Sequence, residues 1–154
     1  MRRRQFIMLL GGAAAAWPLV ARAQQSVRHI GVLMSIAEDD PDSRALFAAF
    51  EQGLAQRGWI SGGNVRIDYR WSIDSTEKLK AALAEFLALP PDVIVASASR
   101  IVAELRQVMP TVPIVFVMIY EPVAQGFVET LAHPGGNATG LTAMEATIGG
   151  KWLI

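Results

Sequence analysis

The sequence predicts an α/β fold, a doubly wound parallel sheet with helices on both faces. Two observations carry that prediction. Pro113–Gly126 contains an unbroken apolar run, Ile114 to Ile119, that stops at Tyr120-Glu121-Pro122-Val123. Such a run suits a strand buried on both faces, as strands of helix-covered parallel sheets are. Asp92–Ala96 is a second apolar run, and it ends in Ser97-Ala98-Ser99 just before a helical pattern. Polar groups where two strands end suggest one ligand-facing rim, because open α/β sheets bind ligands beyond the carboxyl ends of their strands.

At 154 residues, with 52% apolar and 18% charged side chains, the chain can build one cored domain and is not a disordered sequence. It has no cysteine, which removes disulfides, thiolate metal sites and a cysteine nucleophile. Arg2-Arg3-Arg4 precedes an apolar stretch, Phe6–Val20, and Ala21-Arg22-Ala23 fits a small-x-small cleavage signal. Residues 1–23 therefore read as an export signal, twin-arginine-like or Sec, with cleavage after Ala23 and a periplasmic product. The apolar core is shorter than the roughly 20 residues a spanning helix needs, so no stable membrane span is expected after cleavage. Losing four arginines leaves ten basic against 14 acidic residues, a net −4. An acidic exported domain is a poor match to a nucleic-acid backbone.

The remaining elements follow in order. Arg28–Ser35 is a first buried strand with His29 at its start, a surface or strand-end position. Glu38-Asp39-Asp40 lacks the spacing of an EF-hand loop, and Asp40-Pro41 makes a helix start with Asp40 as N-cap. Leu46, Phe47, Phe50 and Leu54 form one stripe of a helix over Asp42–Arg57, stopped by Gly58. Val65, Ile67, Tyr69 and Trp71 alternate with polar residues, which marks a strand with one wet face at a sheet edge. Asp74-x-x-Glu77 resembles a capping box opening a helix with Leu79, Leu83, Phe86 and Leu87, which Pro90-Pro91 ends. The strand Asp92–Ala96 leads to a helix over Arg100–Met109, where Arg100 and Arg106 cover a solvated face. After the central strand a short helix is expected over Val123–Leu131, then a turn at His133–Asn137 and an extended piece, Ala138–Met144. Strand and helix in alternation give a parallel sheet.

Few spacings carry chemistry. The hydroxyls of Ser97 and Ser99, with the free N–H groups of the helix that follows, can hold a carboxylate or another anion. The plain alternative is that a serine caps that helix. Glu121 can receive an ammonium or hydroxyl, or stand as a solvated acid beside a turn proline. Tyr120 and Trp71 can stack on a ligand, although packing is the commoner fate of strand-end aromatics. No G-x-S-x-G surrounds either serine, neither His29 nor His133 is placed to complete a triad, and no phosphate-binding loop is present. No metal site or cofactor is expected.

These residues resemble the ABC-transporter substrate-binding family that includes tryptophan- and tyrosine-binding members. The matching pieces are Phe50–Gly58 with Trp59, Gly63–Tyr69, Pro91–Ala96, Val112–Val117, Glu121-Pro122-Val123, Gly126-Phe127-Val128 and Pro134–Gly140. They span nearly all of the chain after the leader, and the PGGN-x-TG tail is specific. The resemblance implies a type I periplasmic-binding-protein fold with two lobes and a small-molecule ligand, an amino acid or related carboxylate, held between them. It also implies an ABC permease as partner, and no enzymatic activity. It makes 24–140 the N-terminal lobe and 141–154 a crossover toward a second lobe that this sequence lacks, so a truncated fragment is expected. Leu141, Met144, Ile148, Trp152 and Leu153 would then be partly exposed or loosely placed. The resemblance puts first-lobe contacts at Ser35, Glu38, Ser99, Glu121 and Pro122, with Thr142 near the crossover.

Two positions depart from the family pattern: Glu121 stands where aspartate is usual, and Ser99-Arg100 where threonine-proline is frequent. Both bear on ligand identity. A competing expectation is a small exported hydrolase-like enzyme acting through Ser97, Ser99 and Glu121. A transcription-regulator sensor domain is disfavoured by the leader and by the lack of a helix-turn-helix.

Overall fold

The structure, a computed structural model, describes residues 26–144. The leader and the segment from residue 145, with Ile148, Trp152 and Leu153, lie outside the described residues, as does the side chain of Met144. Five strands alternate with three helices: β1 (Arg28–Leu33), α1 (Pro41–Gln56), β2 (Val65–Arg70), α2 (Thr76–Ala88), β3 (Val93–Ser97), α3 (Ser99–Val108), β4 (Ile114–Tyr120) and β5 (Ala138–Met144). The strands form one sheet in the order β2-β1-β3-β4-β5, and every neighbouring pair is parallel. The expected α/β sheet and its wet edge strand, β2, are both present.

Alternation along each strand sorts side chains between the two faces. Leu33, Ile94, Ala96, Ile114 and Phe116 face α2 and α3, where they pack with Phe86, Ile101 and Leu105. Gly31 is on this face because a Cβ there would come within 2.7 Å of the Phe86 ring. Val32, Met34 and Val95 face α1, with Phe47, Phe50, Tyr69 and Trp71 packed around them. The Tyr69 and Trp71 rings stack, and Phe47 meets both edge-on. Burial, and then the hydrogen bond from Tyr69 Oη to Glu51, push the phenol well above its ordinary range.

The second face is thinner than expected. Among the described residues α1 alone covers it, so Val115 and Val117 of β4 are only half-buried. An open apolar groove of about 280 Å³ lies there between Phe47, Val117 and Leu141, and Leu141 is 72% exposed. The sequence could not distinguish this from a fully covered strand, because Val115 and Val117 are as apolar as Ile114 and Phe116.

Local starts and stops follow from capping. Asp40 accepts from the amides of Asp42 and Ser43, with Pro41 opening α1. Gly58 adopts φ 85° just past the helix end. At α2 the cap is Ser75, whose hydroxyl accepts from Lys78 N, not Asp74; the Asp74 carboxylate instead pairs with Lys78 Nζ. The serine lies one residue nearer the first helical turn, so its short side chain reaches the amide directly. The helix expected over Val123–Leu131 is a run of turns. Pro122 opens it, and Gly126, at φ 71°, turns the chain so that Phe127 N donates to Pro122 O. Phe127 and Val128 then join the core beside α3. Arg100 and Arg106 do more than cover a helix face: each donates to a loop carbonyl, of Ile73 and Gly126 respectively.

Candidate functional site

The strand order reverses between β1 and β3, since β1 continues to β2 on one side and the chain then resumes on the other. Crevices at such points, beyond the carboxyl ends of the strands, are where open α/β sheets receive ligands. Ser35 leaves β1 there and Ser97 ends β3. The Ser35 amide donates to Ser97 Oγ at 3.0 Å, and the two hydroxyl oxygens are 3.3 Å apart. Ser35 is exposed, whereas Ser97 is buried.

Ser99 is the first residue of α3 and is half-buried. The capping position before it is Ala98, which has no side chain able to cap and adopts φ 69°, ψ 131°. Neither serine therefore caps the helix. The amides of Ser99 and Arg100 have no backbone partner among the described residues, so donors at this helix end face outward. Beside β3, β4 runs parallel with Ser97 opposite Val117, and Glu121 follows its last residue. Glu121 is exposed at φ 48°, and Pro122 behind it is buried. Ser35, Ser99 and Glu121 thus emerge from one edge of the sheet. Glu38 is exposed in the β1–α1 loop, and Thr142 is half-buried on β5 opposite Ile119, bordering the apolar groove.

Two rim features go against the commoner expectation for their residues. Met118 reads as a buried strand residue but is 41% exposed at φ 56°, where β4 shifts register against β5. Tyr120 is 61% exposed rather than packed. Ser72, Ala98, Met118 and Glu121 are the described non-glycine residues with positive φ; Ser72, Ala98 and Glu121 lie just beyond carboxyl ends of strands, and Met118 lies within the last three residues of β4. Conformations of this kind gather at ligand sites, held by the surrounding structure. No sequence signal marks them, because none is glycine or asparagine.

Charge is paired at the opposite edge. His29 Nε2 lies 2.9 Å from Asp68 Oδ2, and the Arg66 guanidinium, then His29, hold that carboxyl below the usual carboxylate range. Asp92 is lowered by the His29 backbone N–H first and by Arg28 second. His133 also lies toward this edge, in the turn leading to Asn137, whose carbonyl accepts from Ile114 N at the start of β4. Both histidines are therefore far from Ser97 and Ser99, and no Ser–His pair forms. Among the described residues no three His, Cys, Asp or Glu side chains gather as metal ligands, and no helix is long and apolar enough to cross a membrane.

The family model for ABC transporter substrate binding protein matches residues 29–148. A tyrosine-binding protein of Clostridioides difficile (strain R20291) is 25% identical over 113 residues, 73% of this chain and 32% of that protein. Among solved structures, the ABC domain in complex with L-Trp from Streptococcus pneumonia superposes with a TM-score of 0.66 at 26% identity, over 76% of this chain and 39% of that one. A conserved domain protein from Vibrio cholerae O1 biovar El Tor gives 0.69 at 27% identity, over 83% and 43%. The chain thus spans about a third of the curated relative and about two fifths of the solved ones. With a parallel sheet of matching fold and a family match over most of its length, this chain belongs to the ABC transporter substrate-binding protein family.

Proposed function

We propose that this chain is the N-terminal lobe of an exported solute-binding component of an ABC importer. It contributes one wall of a cleft that captures a small zwitterionic ligand, an amino acid or a related carboxylate. The observation that carries this reading is the shared rim: Ser35, Ser99 and Glu121 leave three parallel strands on one edge, at the point where the strand order reverses. The Ser99 and Arg100 amides offer donors and a helix-end partial positive charge to a carboxylate, and Glu121 offers an acceptor to an ammonium. Glu38, Pro122 and Thr142 border the same site, and Ser97 supports it from below. The relatives bound to L-Trp or described as tyrosine-binding support an aromatic amino acid as the first ligand to try.

In the parent arrangement, ligand bound between two lobes would favour the closed form, and a membrane permease would read that closure. The leader supports delivery to the periplasm, with residues 24–140 as the lobe and 141–154 as the crossover. Residues 24–154 taken alone offer one wall of that cleft, so weak ligand binding is expected of them. Titrating purified residues 24–154 with L-tryptophan and L-tyrosine tests this. Shifts of the Ser35, Ser99 and Arg100 amide resonances at millimolar ligand are expected, lost in Ser99→Ala/Glu121→Gln. A micromolar Kd by calorimetry would refute the half-site reading, and turnover of an ester or amide abolished by Ser99→Ala would revive an enzyme.

A further inference from the structure

We infer that Ser97 is a positioning residue that makes the Ser35 hydroxyl a hydrogen-bond donor, so that the ligand presents an acceptor oxygen, its carboxylate, to the end of β1. The inference rests on the ligand-site reading above and assigns a polarity to it.

Ser97 is 1% exposed, so its hydroxyl must find partners within the protein. As an acceptor it takes the Ser35 amide at 3.0 Å. As a donor it has one acceptor in reach among the described residues, Ser35 Oγ at 3.3 Å. Leaving the Ser97 proton unpaired would cost a buried polar group its hydrogen bond, about 1–3 kcal/mol. The Ser97 proton therefore points to Ser35 Oγ. A serine hydroxyl has one proton. With Ser35 Oγ accepting from Ser97, its own proton is directed away from β3, toward the exposed side of the crevice. A docking group meets that proton beside the one lone pair Ser35 Oγ keeps free, and a carboxylate, which only accepts, can take only the proton.

Glu121 has the opposite character: an ionised carboxylate only accepts. The rim is thus polarised, donor at β1 and acceptor beyond β4. A zwitterion fits in one sense, with its carboxylate toward Ser35 and its ammonium toward Glu121. Ser97, which its spacing offers as an anion contact beside Ser99, takes a different role. Ser97 does not touch the ligand but acts through Ser35.

The test is an NMR titration of the chain with two probes, L-tryptophan and its decarboxylated analogue tryptamine. Ser35→Ala is expected to weaken tryptophan about tenfold, as loss of a hydrogen bond to a charged oxygen does, and to leave tryptamine unchanged. Ser97→Ala is expected to weaken tryptophan several-fold and to add nothing when Ser35 is already alanine. Ser97→Cys, of similar size with a weaker donor, should fall between. Thermal melts establish that each variant is folded.

The inference is overturned if Ser97→Ala weakens both probes alike, or if it still weakens tryptophan in the Ser35→Ala background. A wild-type chain whose rim amides respond to neither probe overturns the ligand-site reading and this inference with it. Tryptophan binding that is indifferent to both serines overturns the inference alone.

Discussion

Asn137 Nδ2 donates to the Val112 carbonyl at 2.9 Å and to the Met109 carbonyl at 3.3 Å. The side chain thereby ties the entry of β5 to the end of α3 and the loop into β4. The glycine-rich tail is, at this residue, a clamp at the edge away from Ser35, Ser99 and Glu121. Asn137→Ala should leave the Val112 carbonyl without a partner, take from the Met109 carbonyl one of its two donors, and cost about 1–3 kcal/mol. Urea denaturation with an unchanged midpoint would contradict the clamp.

Gly140 answers to packing rather than to turn geometry. A Cβ on it would lie 1.9 Å from the Phe116 carbonyl oxygen, and that oxygen belongs to the neighbouring strand. The backbone cannot give way as a side chain end can, so Gly140→Ala should cost about 3 kcal/mol or more and loosen β4 from β5. Faster amide exchange confined to β4 and β5 is the expected signature. Gly31→Ala meets a ring instead, and should cost about 1–3 kcal/mol.

Ala98 holds a backbone conformation that L-residues rarely adopt. Ala98→Gly removes that strain and should raise stability by about 1 kcal/mol, even though glycine costs more chain entropy to order. The same change lets Ser99 wander, so the rim should bind less well while the chain melts higher. A lower melting temperature for Ala98→Gly would argue against strain at this position.

Acid should loosen the edge opposite the rim. Asp68 and Asp92 are held below the usual carboxylate range, so each stays ionised in the folded chain at pH values where it protonates in the unfolded one. The stability they contribute is fully present above about pH 4 and is lost as pH falls through their lowered values. A melting curve measured from pH 6 downward should drop in this window, and Asp68→Asn should flatten the drop. An identical acid limb in Asp68→Asn would show that the pairing with Arg66 and His29 contributes nothing.

Much of the architecture was legible because it is written in periodicity. The apolar runs gave β1, β3 and β4, the alternating one gave the edge strand β2, and Asp40-Pro41 and Gly58 bounded α1. What the pattern could not carry was cover and conformation. Val117 has the composition of a core residue, yet the helix layer over it stops short. The turns after Pro122 replaced an expected helix because Gly126 closes them within five residues, a geometry that helical periodicity does not report. At the site, residue type showed which strand ends are polar, but the Ser35–Ser97 bond joins positions 62 apart in the chain. Only the parallel neighbourhood of β1 and β3 brings them within reach.

Because β5 runs with its neighbours, its last residue, Met144, exits on the edge that carries Ser35, Ser99 and Glu121. Any body joined there would pivot close to the proposed ligand rim, which puts the fulcrum beside the load. A few degrees of rotation would then disturb contacts near that rim little while sweeping distant surfaces through a wide arc. A small chemical event at the pivot could in this way be felt by a machine many ångströms off.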